Sequence, residues 1–273
     1  MTAFGLGPAL LFCPADRPER YAKAAERSDA VIIDLEDAVA PDAKEAARAA
    51  LGDAANTAAL DPDRVIVRVN PIGTADHARD LDAVAGTPFR TLMVAKSEST
   101  PAIAALPSGY EIIALCETAR GVAEAEQLAR LDRVVALMWG AEDLVASLGG
   151  SSSRFPDGRY RDVARAARSR VLLACGAYGA AAIDAVHLDI ADVDGLRAEA
   201  SDAVASGFAA TACIHPSQVE VVRAAYRPSD EEVAWASRVI DAARGERGVF
   251  ALDGRMVDEP VLRHARAVLA RAR

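Results

Sequence analysis

Two stretches decide how this chain is read: EIIALCETARG at residues 111–121 and RVVALMWGAEDL at residues 133–144. Each is an apolar run of strand length that stops at acids and gives way to a helical pattern. Glu117 closes the first run and Asp143 follows the second, about one strand-plus-helix unit further on. In a parallel barrel consecutive strands are neighbours and their carboxyl ends open on one face, so these two carboxylates are placed to converge on one ion. Two hard oxygen donors without His or Cys favour Mg²⁺ over Zn²⁺, and leave several positions for water or for substrate oxygens. Taken singly, each acid also suits the first turn of a helix as a cap.

Working outward, the same strand-then-helix unit recurs. ALLFC at 9–13 is closed by Pro14, and a helix is expected over 18–27 with Pro18 at its first position. AVIIDLED at 30–37 runs into acids, and Pro41 opens a helix toward Leu51. RVIVRVN at 64–70 alternates so that Arg68 and Asn70 share a face. A helix over 76–85 leads to TLMVAK at 91–96, and after the two central units come AAIDAVHL at 181–188 and AATACIHP at 209–216. The strand count reaches eight, as a TIM (β/α)₈ barrel requires; a doubly wound open sheet is the runner-up, but no G-x-G-x-x-G follows the first strand.

Between the Asp143 helix and the next, LGGSSSRFPDGRY at 148–160 has no apolar periodicity and reads as a long loop of the lid or binding type. Beyond a helix at 216–226 the chain continues with a helix over 229–245, then GVFALDGRMVD, a hairpin with Asp253-Gly254 at its turn, then a helix from Pro260. The expected organisation is a catalytic barrel over 1–226 and a C-terminal helical and hairpin extension over 227–273.

Composition bounds the function classes. The 273 residues carry a net charge of −9 and a pI near 5.0, which argues against non-specific nucleic-acid binding. No apolar run is long enough to span a bilayer, and the N-terminus lacks a signal-peptide pattern, so a cytoplasmic protein is expected. Cys13, Cys116, Cys175 and Cys213 lie in apolar runs without C-x-x-C spacing and are read as buried thiols.

The acid and base groups gathered at the predicted carboxyl face are Arg17, Glu36, Asp37, Arg68, Glu117, Asp143 and His215. An inward-pointing Arg68 needs a carboxylate or a substrate oxygen, and Glu36 or Glu117 is the expected structural partner. Alternation places Asp34 and Glu36 on one face, and close carboxylates raise one pKa, as acid/base chemistry requires. Trp139 is expected in barrel packing, His187 in the core or at the rim.

The motifs LFCPADRPERYAKA, DLEDAV, VRVN, ETARG, WGAEDL, IHPSQ and GRMVDEP occur in the order seen in citrate lyase beta-subunit-like proteins, and the chain resembles that family over nearly its whole length. These belong to the HpcH/HpaI aldolase and malyl-CoA lyase superfamily. Pro14-Ala15-Asp16 and Ala95 depart from its usual pattern. The resemblance implies a stand-alone Mg²⁺-dependent carbon–carbon lyase on a 3-hydroxyacyl-CoA such as malyl-, citramalyl- or 3-hydroxy-3-methylglutaryl-CoA, with Mn²⁺ as a substitute ion. It implies Glu117 and Asp143 as metal ligands, Arg68 as the contact to a substrate oxygen, and Asp258 as an acid/base residue donated by an adjacent subunit of a homo-oligomer, a trimer by family precedent. Glu36 is the competing acid/base residue, and Arg17, Arg20 and Lys23 are candidates for the CoA phosphates. The alternatives are a metal-dependent aldolase of free 2-oxo acids, a citryl-lyase subunit working on an acyl-carrier thioester, and a non-catalytic binding subunit.

Overall fold

The computed structural model describes residues 4–55, 60–245 and 248–272, which cluster into two compact units, Met1–Val222 and Arg223–Arg273.

The first unit is a closed barrel of eight parallel strands, each hydrogen-bonded to the next in sequence and the last to the first. Strands β1 (Ala9–Pro14), β2 (Ala30–Asp34), β3 (Val65–Val69) and β4 (Thr91–Val94) alternate with helices α1 (Tyr21–Arg27), α2 (Lys44–Ala55), α3 (Ala75–Ala85) and α4 (Thr100–Ala104). The second half runs β5 (Glu111–Cys116), α5 (Ala119–Ala129), β6 (Val134–Trp139), α6 (Ala141–Ser147), α7 (Asp162–Tyr178), β7 (Ala181–Asp184), α8 (Val193–Ser206), β8 (Ala210–Cys213) and α9 (Pro216–Tyr226). The expected (β/α)₈ order is therefore present, closed rather than open. Both faces of each strand are covered, so the strands are mostly apolar, with charges such as Asp34 and Arg68 near their carboxyl ends, and the period of two decides which side each residue takes. Leu10, Ile32, Ile66, Met93, Ile113 and Leu115 are among the residues that form the buried barrel interior.

The strands end sooner than their apolar runs suggest. AVIIDLED pairs only as far as Asp34, and TLMVAK only as far as Val94. The residues that follow, Leu35–Asp37 and Ala95–Ser97, turn over the barrel mouth, and it is there that the charged groups lie. The loop at 148–160 is folded on itself: Arg154 and Tyr160 form an antiparallel bridge, Ser153 Oγ donates to Glu142 Oε1 at 2.5 Å, and Arg154 pairs with Glu199 while lying 3.7 Å over the Tyr160 ring.

In the second unit, α10 (Asp230–Ala243) begins with a capping box between Ser229 and Glu232. The hairpin strands β9 (Phe250–Leu252) and β10 (Arg255–Val257) meet at Asp253 and Gly254, whose φ values of 50° and 74° are the positive pair that a two-residue type I′ turn demands. Helix α11 (Glu259–Arg271) packs on α10 around Ala236, Val239, Val257, Ala265 and Val268. The expected helix, hairpin and helix of the extension are thus all present.

Candidate active site

The barrel places Glu117 directly after β5 and Asp143 in the first turn of α6. Glu117 does not cap the helix that follows it. Thr118 does so, its hydroxyl accepting from Gly121 N at 3.0 Å, and the Glu117 carboxylate is left to turn into the barrel mouth, only 3% exposed. The neighbouring strand makes room for it. Cys116 and Trp139 are register partners, so Gly140 comes up beside Glu117, and a Cβ on Gly140 would stand 2.8 Å from Glu117 Cβ and 3.1 Å from its Oε2. Burial, reinforced by the Asp143 carboxylate, pushes the Glu117 carboxyl up to about 8.

Arg68 and its acids form the second part of the site. Asp34 and Arg68 are paired across β2 and β3; Arg68 Nε and Nη2 donate to the two Asp34 oxygens at 2.7 and 2.5 Å, and Nη1 lies 3.1 Å from Glu36 Oε2. Burial of the guanidinium is outweighed by these acids, which hold it firmly charged. Of the two partners expected from sequence, Glu36 is in contact; Asp34 supplies the bidentate pair, and Glu117 acts only through its nearby charge. Burial raises the Glu36 carboxyl, against the pull of Arg68 and of the Lys96 hydrogen bond. The loop carrying Glu36 is fastened by Lys44, whose ammonium donates to the carbonyls of Leu35 and Glu36 and to Asn70 Oδ1 at 2.8, 3.0 and 2.9 Å.

Lys96 is the residue that sequence reasoning missed. It adopts φ 48°, its backbone N–H donates to Glu117 Oε1 at 3.1 Å, and its ammonium lies 2.5 Å from Glu36, 3.5 Å from Asp37, 3.5 Å from Asp143 and 3.9 Å from Glu117. The available signal was positional, since Lys96 ends its apolar run as Glu117 and the acids of β2 end theirs.

Of these groups Asp34, Asp37, Arg68, Glu117 and Asp143 border a cavity of about 260 Å³ whose apolar lining includes Phe12, Leu115, Met138, Val186 and Ile214. Arg68 lies 4.9 Å over the Phe12 ring. One side of the cavity thus holds charged oxygen-seeking groups and the other hydrocarbon, a division suited to a small polar carbonyl compound.

The remaining expectations divide. Arg17 and Arg20 are exposed at the start of the first βα unit, their acidic neighbours Asp16 and Glu19 at 3.9 and 3.7 Å, and Lys23 is exposed on α1. His215 is engaged with the Ser217 hydroxyl at 2.8 Å. His187 is buried on Glu199 at 2.8 Å, and Trp139 is fully buried, donating to Asp184 at 2.6 Å. Asp258 lies in the second unit as the N-cap of α11, accepting from Val261 N at 3.2 Å. The four cysteines are buried and form no disulfide.

A closed parallel barrel with paired acids and a buried Arg at the carboxyl ends of its strands is the architecture of enzymes that handle small oxygen-rich substrates at that face. Residues 9–216 match the HpcH/HpaI aldolase/citrate lyase family, and the chain belongs to it. It is 59% identical over 266 residues to a citrate lyase subunit beta-like protein of Mycobacterium tuberculosis, covering 97% of this chain and 96% of that one. It is 34% identical to a (3S)-malyl-CoA thioesterase of Cereibacter sphaeroides, over 97% and 94% of the two chains. A crystal structure of CitE from M. tuberculosis in complex with magnesium, acetoacetate and coenzyme A superposes with a TM-score of 0.91 at 59% identity, covering 98% of each chain.

Proposed function

We propose that this chain is a Mg²⁺-dependent carbon–carbon lyase that cleaves a 3-hydroxyacyl-CoA to acetyl-CoA and an oxo acid, and runs the condensation in reverse. The observation that carries the reading is the convergence of Glu117 and Asp143 around one position that already accommodates a cation, the Lys96 ammonium, beside the Asp34-held Arg68. The donor set fits Mg²⁺. It consists of the carboxylate oxygens of Glu117 and Asp143, the hard donors that Mg²⁺ takes. Gly140 leaves the space that the Glu117 carboxylate fills. Mn²⁺ shares these preferences. The magnesium and coenzyme A bound by the CitE relative support the same assignment.

When bound, the ion supplies Lewis acidity to the oxygens of the oxo-acid half. The chain's own groups do the rest. Arg68, fixed by Asp34, stabilises negative charge on the substrate oxygen; removal of such a donor lowers rate by roughly 10²- to 10³-fold. The apolar wall of Phe12, Met138 and Ile214 keeps water from the breaking bond. Glu36 is committed to Arg68 and Lys96, a role that orients those cations. The proton exchange with the acetyl methyl carbon is assigned to Asp258 of a neighbouring subunit of a homotrimer, the role that the resemblance to citrate lyase beta-subunit-like proteins implies. Arg17, Arg20 and Lys23 are assigned to the CoA phosphates.

The test is turnover of malyl-, citramalyl- and 3-hydroxy-3-methylglutaryl-CoA with and without Mg²⁺, with Glu117→Ala as control. Metal-dependent release of acetyl-CoA, lost in the variant, is the expected result. Free CoA with no acetyl-CoA would move the assignment to a thioesterase. Silence on every thioester, with turnover of free 2-oxo acids, would make the chain an aldolase, and turnover of a carrier-protein thioester alone would make it a citryl-lyase subunit. Mixing Asp258→Ala and Arg68→Ala subunits tests the shared site: activity recovers if the two groups act in trans, and stays absent after subunit exchange if they do not.

A further inference from the structure

Lys96 is drawn to the same carboxylates that the proposed function gives to a divalent ion. Its side chain is 28% exposed, and its ammonium stands within 4 Å of four acids that reach the barrel mouth from three different strands. Glu36 and Asp37 follow β2, Glu117 follows β5, and Asp143 follows β6. The placement is built into the backbone. Lys96 takes a left-handed φ of 48°, uncommon for a residue with a side chain, while its own N–H anchors Glu117 Oε1 at 3.1 Å. One residue therefore holds a carboxylate with its backbone and offsets part of the cluster's negative charge with its side chain.

We infer that Lys96 is the resident counter-cation of this site: its ammonium balances Glu117 and Asp143 when no divalent ion is present, and withdraws toward Glu36 and Asp37 when one binds. The inference rests on the assignment of Glu117 and Asp143 as the ion's ligands. Its physical basis is charge. Carboxylates crowded at one mouth, with Glu36 and Glu117 buried, repel one another when left without a cation, and a lysine supplies a single positive charge on a flexible stem that can move aside. A divalent ion approaching Asp143 and Glu117 meets the field of that ammonium, so Lys96 weakens ion binding while it stabilises the ion-free protein. The 2.5 Å contact to Glu36 gives the displaced ammonium a place to remain, on the acid that also touches Arg68. Ion loading then keeps the Lys96–Glu36 contact and lengthens those to Asp143 and Glu117, without disturbing the Asp34–Arg68 pair.

The experiment compares the full-length protein with Lys96→Met, which keeps the stem and removes the charge, and Lys96→Arg, which keeps a charge. Mn²⁺ binding is read by electron paramagnetic resonance and Mg²⁺ binding by calorimetry, neither of which needs turnover. Lys96→Met is expected to bind either ion roughly tenfold more tightly, the order expected when one neighbouring like charge is removed, and to melt at lower temperature than wild type in EDTA. Lys96→Arg is expected to stay close to wild type in both. On the unmodified protein, acetylation of Lys96 by an amine-reactive reagent, read by mass spectrometry, should change in rate along the Mg²⁺ binding curve. Equal or weaker ion binding by folded Lys96→Met overturns the inference, as does a Lys96 labelling rate indifferent to bound Mg²⁺. Failure of wild type to bind either ion would instead overturn the metal-site assignment beneath it.

Discussion

Asp34 and Arg68 are register partners on adjacent strands, and the carboxylate of one holds the guanidinium of the other by hydrogen bonds of 2.7 and 2.5 Å. Asp34 is 1% exposed and also accepts from the backbone N–H groups of Glu36 and Ala38, so it shapes the β2 loop while it aims Arg68. Asp34→Ala would leave a buried guanidinium without its main partner, and is expected to destabilise the protein by about 3–5 kcal/mol. Urea unfolding measures this; a loss below about 1 kcal/mol would show that water or Glu36 replaces the pair.

Gly140 has no unusual backbone conformation, at φ −128°, so an alanine there is excluded by space alone. Gly140→Ala would press on the Glu117 side chain at 2.8 Å and displace its carboxylate. The expected outcome is a stability loss of about 1–3 kcal/mol, together with a fall in Mg²⁺ affinity. Calorimetric titration checks the second effect; unchanged affinity would mean that the two strands separate without moving Glu117.

Magnesium should raise the melting temperature of the wild-type protein, because a ligand that binds only the folded state adds about 2.7 kcal/mol at a hundred times its Kd. Glu117→Gln and Asp143→Asn should each remove most of that gain. Thermal melts over a Mg²⁺ series decide the point, and a shift retained in both variants would place the ion elsewhere.

The loop at 148–160 is fastened chiefly by Arg154, which pairs with Glu199 and covers Tyr160, while Tyr160 stacks edge-on against Trp139 at 5.2 Å. Arg154→Ala is expected to cost roughly 1–3 kcal/mol and to expose the loop to cleavage. Limited trypsin digestion at the remaining Arg159 and Arg161 reads the second effect; equal digestion rates would mean that the Ser153–Glu142 bond suffices.

Burial pushes the Cys13 thiol up to about 11 and the Cys175 thiol to about 12, and raises Cys116 further. At pH 8 the Cys13 thiolate is then roughly one part in a thousand, and thiolate is the reactive form. The native protein should release almost no chromophore from a disulfide reagent at pH 8, and four equivalents in denaturant, one for each cysteine. Rapid reaction of the native protein would show that one of the four is reached by solvent.

Much of this molecule is local, and what is local is legible. The order of strands and helices follows from apolar period, and the hairpin turn from Asp253-Gly254, because each depends on residues a few positions apart. So does the place of Glu117 and Asp143, since a strand in a parallel barrel delivers whatever follows it to one face. Strand ends were less legible: Leu35 and Ala95 extend the apolar runs but lie outside the sheet. Glu36 was legible as a partner of Arg68, but its bidentate partner was not, because Asp34 is 34 residues away and only the β2–β3 register brings them together. Lys96 meets Glu36 across 60 residues for the same reason. Thus the sequence by itself determined the repeating unit, the barrel and the chemical types at its mouth. Only the closed tertiary structure decided which acid holds Arg68, that Gly140 gives Glu117 its space, and that Lys96 stands among four carboxylates. Those are contacts between strand ends, fixed by inter-strand register and barrel closure, and no local pattern carries either.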